Sequence, residues 1–244
     1  MASIQGIFKR YEKKYLLNPE QMGIVVDKIL EYMELDEYGL STICSIYFDT
    51  ENSDLIRRSL EKPAYKEKLR LRCYGKQASG SDTVFVELKK KYNGIVYKRR
   101  IVMSYDEAVG YLTKGQKAPV ESQISREIDY MLKFYNPKPA VMVCYDRLAY
   151  YGIEDSEFRV TFDLNVRCRS DELDLAKGDR GERLVPEGYA IMEIKTKGAI
   201  PLWLCDILSS NKIYPISFSK YGTYYNRLLE ARQKADEKRL AAVK

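Results

Sequence analysis

The sequence predicts an α+β fold: a mostly antiparallel, eight-stranded β-barrel that closes into a tunnel with a basic interior and is flanked by helices. Eight segments alternate apolar and polar side chains with a period of two, which is typical of strands with two different faces. In several of these segments the polar face consists largely of lysine and arginine. Five other segments have the apolar spacing of helices.

The predicted helices cover residues 19–33, 105–114, 122–135, 201–211 and 221–242. The first begins at Asn18 and Pro19, an N-cap followed by proline at the first helical position. The last is charged on almost every side after Leu229, which is typical of a solvated helix. We expect one domain over residues 1–225 and a charged, helical C-terminal tail over residues 226–244.

The predicted strands cover residues 8–17, 42–49, 65–74, 83–91, 95–104, 140–151, 157–169 and 189–197. Most are consecutive or joined by turns, which favours antiparallel pairing. The clearest alternation runs from Phe158 to Arg169, where six apolar side chains are expected on one face and six polar ones on the other, unbroken over twelve residues.

Composition excludes several kinds of chemistry. The chain has 244 residues, 41 Lys and Arg, 35 Asp and Glu, and no histidine. The missing histidine excludes a Ser-His-Asp triad, a His-ligated zinc site, an imidazole base and a phosphohistidine intermediate. The net charge of +6 by itself indicates only that anionic partners are plausible.

The cysteines and the apolar segments indicate the cellular compartment. The five cysteines are far apart in sequence and lie beside apolar residues, so we expect buried, reduced thiols. The first residues lack the apolar stretch of a secretory signal, and no apolar run approaches the ~20 residues of a membrane span. We therefore expect a cytoplasmic protein with no membrane span of its own.

The basic faces of the strands are the feature from which a function can be predicted. The side chains that share such faces include Arg10, Glu12 and Lys14; Arg70 and Arg72; Glu87, Lys89 and Lys91; Lys98 and Arg100; and Glu193, Lys195 and Lys197. For any single strand, a polar face turned to water is the favoured explanation. The set as a whole is long-armed and strongly basic, with interspersed carboxylates. If the sheet closes, such an interior suits phosphates, with carboxylates for a divalent metal ion.

With these features the chain resembles a VTC-type polyphosphate polymerase domain of the triphosphate tunnel metalloenzyme (CYTH-like) superfamily, from Phe8 to about Tyr225. The motifs that carry the resemblance are Arg10-x-Glu12-x-Lys14, Tyr47-Phe48-Asp49-Thr50, Lys68-Leu69-Arg70-Leu71-Arg72, Glu87-Leu88-Lys89, Lys98-Arg99-Arg100, Cys144-Tyr145-Asp146-Arg147, Arg159-Val160-Thr161-Phe162-Asp163, Ile191-Met192-Glu193-Ile194-Lys195 and Ser217-Phe218-Ser219-Lys220-Tyr221. Arg10 replaces the first Glu of the superfamily pattern Glu-x-Glu-x-Lys, which favours the polymerase branch over the hydrolases.

The resemblance implies transfer of the terminal phosphoryl group of ATP to a growing inorganic polyphosphate chain, assisted by Mn²⁺ or Mg²⁺. It implies catalytic roles for Lys220, Lys14 and Glu87, and metal binding by Glu193 and Glu12. The implied phosphate-binding residues are Arg10, Arg70, Arg72, Lys89, Lys98, Arg100, Arg147, Arg159, Lys195 and Ser219. The expected ligands are ATP and polyphosphate, and any export of the product would need a separate membrane partner.

Several alternatives stay open for individual residues. Glu87 could hold Lys89 or Arg100 in place, bind a second metal ion or act as a base. Arg147 and Arg159 could be structural partners of Asp146 and Asp163. For Asp49, a hydrogen-bonding role at the end of a strand is favoured over a role as a ligand.

Two other functions compete with polymerase activity: a triphosphatase of the same fold, and a non-catalytic module that binds polyphosphate or another polyanion. Nucleic-acid binding is disfavoured, because glutamates are interleaved among the basic residues and the tyrosines of the first strand fall opposite the charged face. The sequence does not indicate the oligomeric state.

Overall fold

The computed structural model describes residues 11–93 and 95–242, in which eleven strands and six helices follow one another along the chain. The strands are β1 (Tyr11–Leu17), β2 (Met33–Leu35), β3 (Ser41–Asp49), β4 (Tyr65–Tyr74), β5 (Thr83–Tyr92), β6 (Ile95–Ser104), β7 (Lys138–Gly152), β8 (Arg159–Arg169), β9 (Glu182–Arg183), β10 (Ala190–Thr196) and β11 (Pro215–Ile216). The helices are α1 (Pro19–Ile29), α2 (Asp54–Leu60), α3 (Tyr105–Thr113), α4 (Gln123–Tyr135), α5 (Leu202–Ser210) and α6 (Lys220–Ala242).

All strands belong to one antiparallel sheet in the order β11-β1-β10-β8-β7-β3-β4-β5-β6, with β2 paired to β7 and β9 paired to β8. No ladder joins β6 to β1 or β11 in the part of the chain that the structure describes. The α+β class and the antiparallel pairing are therefore confirmed, but the closed, eight-stranded barrel is wrong. The second edge of β1 is occupied by β11, where Pro215 has no N–H to continue a ladder.

The apolar strand faces pack under the helices. One hydrophobic cluster joins α3 and α4 to β3, β4 and β5, and includes Leu69, Leu88 and Ile128. A second joins α1 and α5 to β8 and β10, and includes Phe162 and Leu204. The alternate residues of the same strands lie on the opposite, concave face of the sheet, because successive side chains of a strand point to opposite sides. Charged side chains predicted to line an interior, such as Lys14, Arg70, Glu87 and Arg100, lie on this face.

The predicted unbroken alternation between Phe158 and Arg169 is wrong. Asn165 has a φ of +47°, and the β7–β8 register shifts between Cys144 and Asp146. This bulge exchanges the two faces of the strand: Phe162 packs under α1 and α5, whereas Val166 packs with α6 on the other side. Asparagine tolerates the left-handed conformation that the bulge requires.

Local hydrogen bonds explain two further differences. The helix predicted over residues 19–33 ends at Ile29, and its last predicted residue opens β2. Helix α2 was not predicted, and its first turn is held by the buried Asp49, whose carboxylate accepts the N–H groups of Leu55 at 2.9 Å and Ile56 at 3.0 Å. The prediction that Asp49 is a hydrogen-bond acceptor at a strand end is confirmed.

The five cysteines are free, and four of them are buried, so the predicted reduced thiols are confirmed and the predicted burial holds for all but Cys205. Within residues 11–93 and 95–242, none of the helices combines the length and the apolar character that crossing a bilayer would require.

Candidate functional site

The segment 218–220, at the start of α6, joins strands from distant positions in the sheet. Lys14 of β1 donates from Nζ to the Phe218 carbonyl at 3.3 Å, and Lys68 of β4 donates to Ser219 Oγ at 3.4 Å. The third residue of the segment pairs with β8, as described below. The concave face of the sheet therefore forms a cleft that is bridged by side chains instead of being closed by a ladder.

Glu87 of β5 gathers three predicted phosphate-binding residues. Its Oε2 accepts from Arg70 Nε at 2.7 Å, and its Oε1 accepts from Arg100 Nε at 2.8 Å and lies 2.9 Å from Lys98 Nζ. Burial raises the pKa of Glu87, but the surrounding cations, led by Arg70, outweigh this and hold the pKa well below its usual range. With both oxygens occupied by cations, Glu87 is suited to holding these side chains in place and poorly suited to accepting a proton.

Arg72 and Lys89 differ from this group because neither donates a hydrogen bond to a carboxylate among the described residues, although Arg72 Nε lies 4.0 Å from Glu87 Oε2. Arg72 is buried. It donates a hydrogen bond from Nε to Ser45 Oγ at 3.0 Å and another from Nη2 to the Tyr145 hydroxyl at 3.1 Å. Lys89 forms no ion pair among the described residues. Burial lowers its pKa, Glu12 and Glu193 oppose this, and Lys14 and Arg70 lower it further, with a net decrease. Their positive charges are available to an anion in the cleft.

A second carboxylate, the fully buried Asp163 of β8, holds two more predicted residues. Arg147 donates from Nε to Oδ1 at 2.6 Å and from Nη2 to Oδ2 at 2.9 Å, and Lys220 pairs with Oδ2. The Lys220 ammonium also lies 4.4 Å from the centre of the Tyr145 ring. Burial raises the pKa of Asp163, but Lys220 and Arg147 outweigh this and lower it below its usual value. Arg147 therefore forms an ion pair with Asp163.

The two predicted metal ligands lie on either side of one lysine. Lys14 Nζ is 3.2 Å from Glu12 Oε1 and 3.5 Å from Glu193 Oε2, and Lys195 Nζ is 2.7 Å from Glu193 Oε1. Burial raises the pKa of Glu193, but Lys195 and Lys14 outweigh this and hold it well below its usual range. Both carboxylates are therefore brought together, and Glu193 is ready to bind a cation without losing a proton.

These residues fit a divalent cation that also binds phosphate. Among the described residues there is no group of three or more acidic or cysteine side chains that could hold a metal ion alone. Mg²⁺ is usually bound by only one or two carboxylates, together with substrate phosphates and water. The Glu12 and Glu193 carboxylates supply that number of hard oxygen ligands.

One predicted phosphate-binding residue among the described residues, Arg159, is not brought into these clusters. Arg159 lies near the end of β8, its side chain is 47% exposed, and its Nη2 lies 3.7 Å from Asp36 Oδ2. Its predicted alternative partner, Asp163, is instead bound to Arg147. Arg10 lies outside the described residues.

The structure adds residues that were not among the predicted site residues: Tyr47, Lys68, Tyr145 and Asp163. Tyr47 accepts a hydrogen bond from Arg70 Nη1 at 3.1 Å. Burial raises the pKa of Tyr47, but Arg70, Arg72 and Lys68 together lower it to about 7. Burial and neighbouring lysines lower the pKa of Lys68 to about 8. Lys68 shares its strand face with Arg70, so the alternation pattern could have found it, whereas Tyr47 was included only in a motif of the family resemblance, without a role.

Comparisons with known proteins show the family of this chain. The profile of the VTC domain family matches residues 9–229. Subunit 4 of the vacuolar transporter chaperone complex is 23% identical in Schizosaccharomyces pombe and 22% identical in Trypanosoma brucei, over 89% and 88% of this chain. These alignments cover 37% and 34% of the two relatives, so the chain spans about a third of their length.

Solved structures share the fold. A putative adenylate cyclase from Bacillus halodurans superposes with a TM-score of 0.53 at 15% identity, covering 88% of this chain and 96% of that one. A putative adenylyl cyclase from Hippeastrum, described as having a dominant triphosphatase activity, gives a TM-score of 0.50 at 15% identity, covering 88% and 94%. The family match spans most of the sequence, including every predicted site residue. The chain belongs to the VTC domain family.

Proposed function

We propose that this chain is a polyphosphate polymerase, which transfers the terminal phosphoryl group of ATP to a growing inorganic polyphosphate chain in the cleft. The observation that supports the proposal is the distribution of paired and unpaired cations in the cleft. Glu87 and Asp163 each fix several cations in place, while Arg72, Lys89 and Lys68 donate no hydrogen bond to a carboxylate among the described residues. Such an interior favours a bound polyanion.

The reaction makes modest demands on protein chemistry. The bond between the terminal phosphorus of ATP and its bridging oxygen breaks, ADP leaves with that electron pair, and a terminal oxygen of the polyphosphate chain bonds to the phosphorus. Phosphoryl transfer of this kind depends mainly on positioning and on neutralising charge. A terminal phosphate that is already ionised needs no general base, which is consistent with the absence of histidine from the chain.

The fixed guanidinium groups would orient the phosphates. Arg70 is held by Glu87 and Tyr47, and Arg147 is held by Asp163, so both present planar donors whose direction is set before a ligand binds. We assign Glu87 this positioning role in place of an acid–base role.

The lysines near the 218–220 segment would act on the phosphoryl group in transfer. Lys14 of β1 and Lys68 of β4 contact this segment, which itself contributes Lys220, and an ammonium serves as a point charge for phosphate oxygens. We propose Lys220 and Lys14 as the catalytic lysines. A Mn²⁺ or Mg²⁺ ion held by Glu193 and Glu12 would neutralise further phosphate oxygens.

The experiment is incubation of the purified chain with ATP and Mn²⁺. Long-chain polyphosphate formed together with ADP supports the proposal. Free phosphate without polymer identifies a triphosphatase, and tight triphosphate binding without turnover identifies a polyanion-binding module. Within the test, Lys220→Ala should lower turnover strongly, whereas Lys133→Ala, on the distant helix α4, should not.

We also propose that the chain acts in the cytoplasm, where ATP is available, and that a separate membrane protein would carry any exported product. The relatives named as subunits of a vacuolar transporter chaperone complex support a membrane partner. Co-purification of the tagged chain with a membrane protein would test this, and recovery of the chain without one would argue against it.

A further inference from the structure

The register between β4 and β5 places lysines directly opposite one another. In the strand register, Lys66 lies opposite Lys91 and Lys68 lies opposite Lys89. A carboxylate appears on this face only two residues further along β4, where Arg70 lies opposite Glu87. This ladder has no register shift, so the even-numbered side chains of β4 share the concave face. Like charges directly opposite each other destabilise a sheet, so this arrangement calls for a compensating anion.

No carboxylate in the described part of the chain forms an ion pair with Lys62, Lys66 or Lys91. We call these three residues the lysine strip. Lys66 donates from Nζ to the Ser59 carbonyl at 3.0 Å, near the end of α2. Burial lowers the pKa of Lys66, and Lys91, Lys62 and Lys89 lower it further, so all the charges that act on this ammonium are positive. The strip is a concentration of uncompensated cations.

The other end of the cleft is different. There, Arg100 is bound to Glu87 with Nη2–Oε1 at 2.5 Å, and Arg159 lies 3.7 Å from Asp36. Arg100 also lies over the Phe85 ring, 4.4 Å from its centre. Arg100 and Arg159 at this end are therefore paired with carboxylates, and Arg72 Nε lies 4.0 Å from Glu87 Oε2, whereas the lysine strip has no carboxylate partner among the described residues. This difference favours binding of a polyanion at the lysine-strip end.

The cationic face is longer than one bound triphosphate requires. From Lys66 to Arg72 the β4 side chains of this face extend over about 20 Å, since a strand rises about 3.3 Å per residue. The arginine and lysine clusters around Glu87, Asp163 and Lys14 already surround a site for one triphosphate. Further cations beyond Lys68 would be unnecessary for hydrolysing a triphosphate, but they would suit an anion that continues past it.

We propose that the lysine strip binds the polyphosphate chain as it leaves the cleft, so that the polymer exits at the Lys66–Lys91 end of the β4–β5 pair. The role as an exit rests on the proposed polymerase function. The binding of a long polyphosphate chain by the strip does not, and it can be measured without turnover.

The test compares two probes, inorganic tripolyphosphate and long-chain polyphosphate, by titration calorimetry on the full chain. In the double variant Lys66→Gln/Lys91→Gln, affinity for long-chain polyphosphate should fall about tenfold, while affinity for tripolyphosphate stays within about twofold. The slope of log affinity against log salt should become shallower by about 0.7 for each phosphate group that the variant no longer neutralises. Equal reductions for both probes, or no reduction for either, would overturn the proposal.

Lys90→Gln is the matched control. Lys90 lies between Lys89 and Lys91 on the same strand but on the opposite face, where it is 2.8 Å from Glu127, so its replacement should affect neither probe. Thermal unfolding shows whether the double variant is folded. Its unfolding temperature should be no lower than that of the wild type, because the substitutions remove like-charge repulsion. If the wild-type chain makes no polymer, but the double variant still loses affinity only for long-chain polyphosphate, the polymerase function is refuted. The proposal that the lysine strip binds polyphosphate is then still supported.

Discussion

Arg147 donates two hydrogen bonds to Asp163, from Nε to Oδ1 at 2.6 Å and from Nη2 to Oδ2 at 2.9 Å. The same carboxylate, fully buried, also pairs with Lys220 at the start of α6. One aspartate thus fixes a guanidinium and an ammonium from two different elements. Its removal would leave two cations without their partner in a buried position, which is more costly than the ion pair is stabilising.

We therefore expect Asp163→Asn to lower the free energy of unfolding by about 3 kcal/mol or more. Urea titration monitored by circular dichroism would measure it. Because the pKa of Asp163 is lowered in the folded protein, its contribution is present above the unfolded value near pH ~3.9 and is lost as pH falls through the folded pKa. The variant should lose less stability than the wild type in that acidic range.

Asp146→Asn is the control for this prediction. Asp146 also binds an arginine, Arg167, at 3.3 Å, but it lies on the other face and is 19% exposed. We expect a decrease of about 1 kcal/mol or less. An Asp163 variant as stable as the Asp146 variant would contradict the importance of the buried carboxylate.

Tyr47 should be partly ionised at neutral pH. Its pKa is lowered to about 7 because Arg70, Arg72 and Lys68 outweigh the opposing effect of burial. Ultraviolet absorbance should show one tyrosinate titrating near pH 7, which disappears in Tyr47→Phe. Tripolyphosphate should suppress this tyrosinate in the wild type, since a bound anion neutralises the same cations.

Tyr221→Phe provides the spectroscopic control. The Tyr221 ring lies 5.3 Å from that of Tyr47, but burial and Asp49 raise its pKa. This variant should keep the neutral-pH tyrosinate. If no tyrosinate formed in the wild type below pH ~9, the proposed electrostatics of the cleft around Tyr47 would be wrong.

Lys68 should make triphosphate binding sensitive to pH. Its pKa is lowered to about 8 by burial and by Lys66 and Lys89, so it is charged below that pH and neutral above it. We expect affinity for tripolyphosphate to fall as pH rises through about 8. Lys68→Arg should abolish this fall, because arginine stays protonated.

The comparison is best made in a Tyr47→Phe background, because Tyr47 gains negative charge in a neighbouring pH range. Tyr47 also raises the pKa of Lys68, so in this background the fall in affinity should occur at a lower pH. Lys90→Arg in the same background is the control, since Lys90 lies on the opposite face beside Glu127. A pH profile that Lys68→Arg leaves unchanged would remove Lys68 from the phosphate-binding residues.

The alternation of side chains predicted the cleft best where the strands are regular. The β4–β5 and β5–β6 ladders have no register shift, so residues such as Arg70, Glu87 and Arg100 lie on the face that the sequence predicted. A period of two also placed Arg147 and Asp163 correctly. It did not pair them, because alternation fixes the face of a residue but not its partner on the next strand.

The errors have equally local causes. A bulge at Asn165 exchanges the faces of β8, and nothing in the alternation of that segment indicates it. The three short strands contain only two or three residues, too few to show a period. The open edge of the sheet depends on Pro215 and on the pairing of β11 with β1, which is a contact between distant parts of the chain.

Glu193 is the strongest test of the metal prediction. Its carboxylate is ionised and lies between Lys14 and Lys195, and Glu12 lies on the other side of Lys14. In Glu193→Gln we expect the Mn²⁺ concentration for half-maximal turnover to rise at least about tenfold. Stabilisation against heat by Mn²⁺ with tripolyphosphate should also shrink, because a ligand that binds the folded state more weakly stabilises it less.

The control is Glu127→Gln, on the outer face of the sheet beside Lys90, which should leave both measurements unchanged. Chelation of the metal should stop turnover by the wild type and by this control alike. If Glu193→Gln kept the wild-type dependence on Mn²⁺ in both measurements, Glu193 would be only an ion-pair partner of its two lysines. The metal would then have to bind through Glu12 or through the phosphates of the substrate.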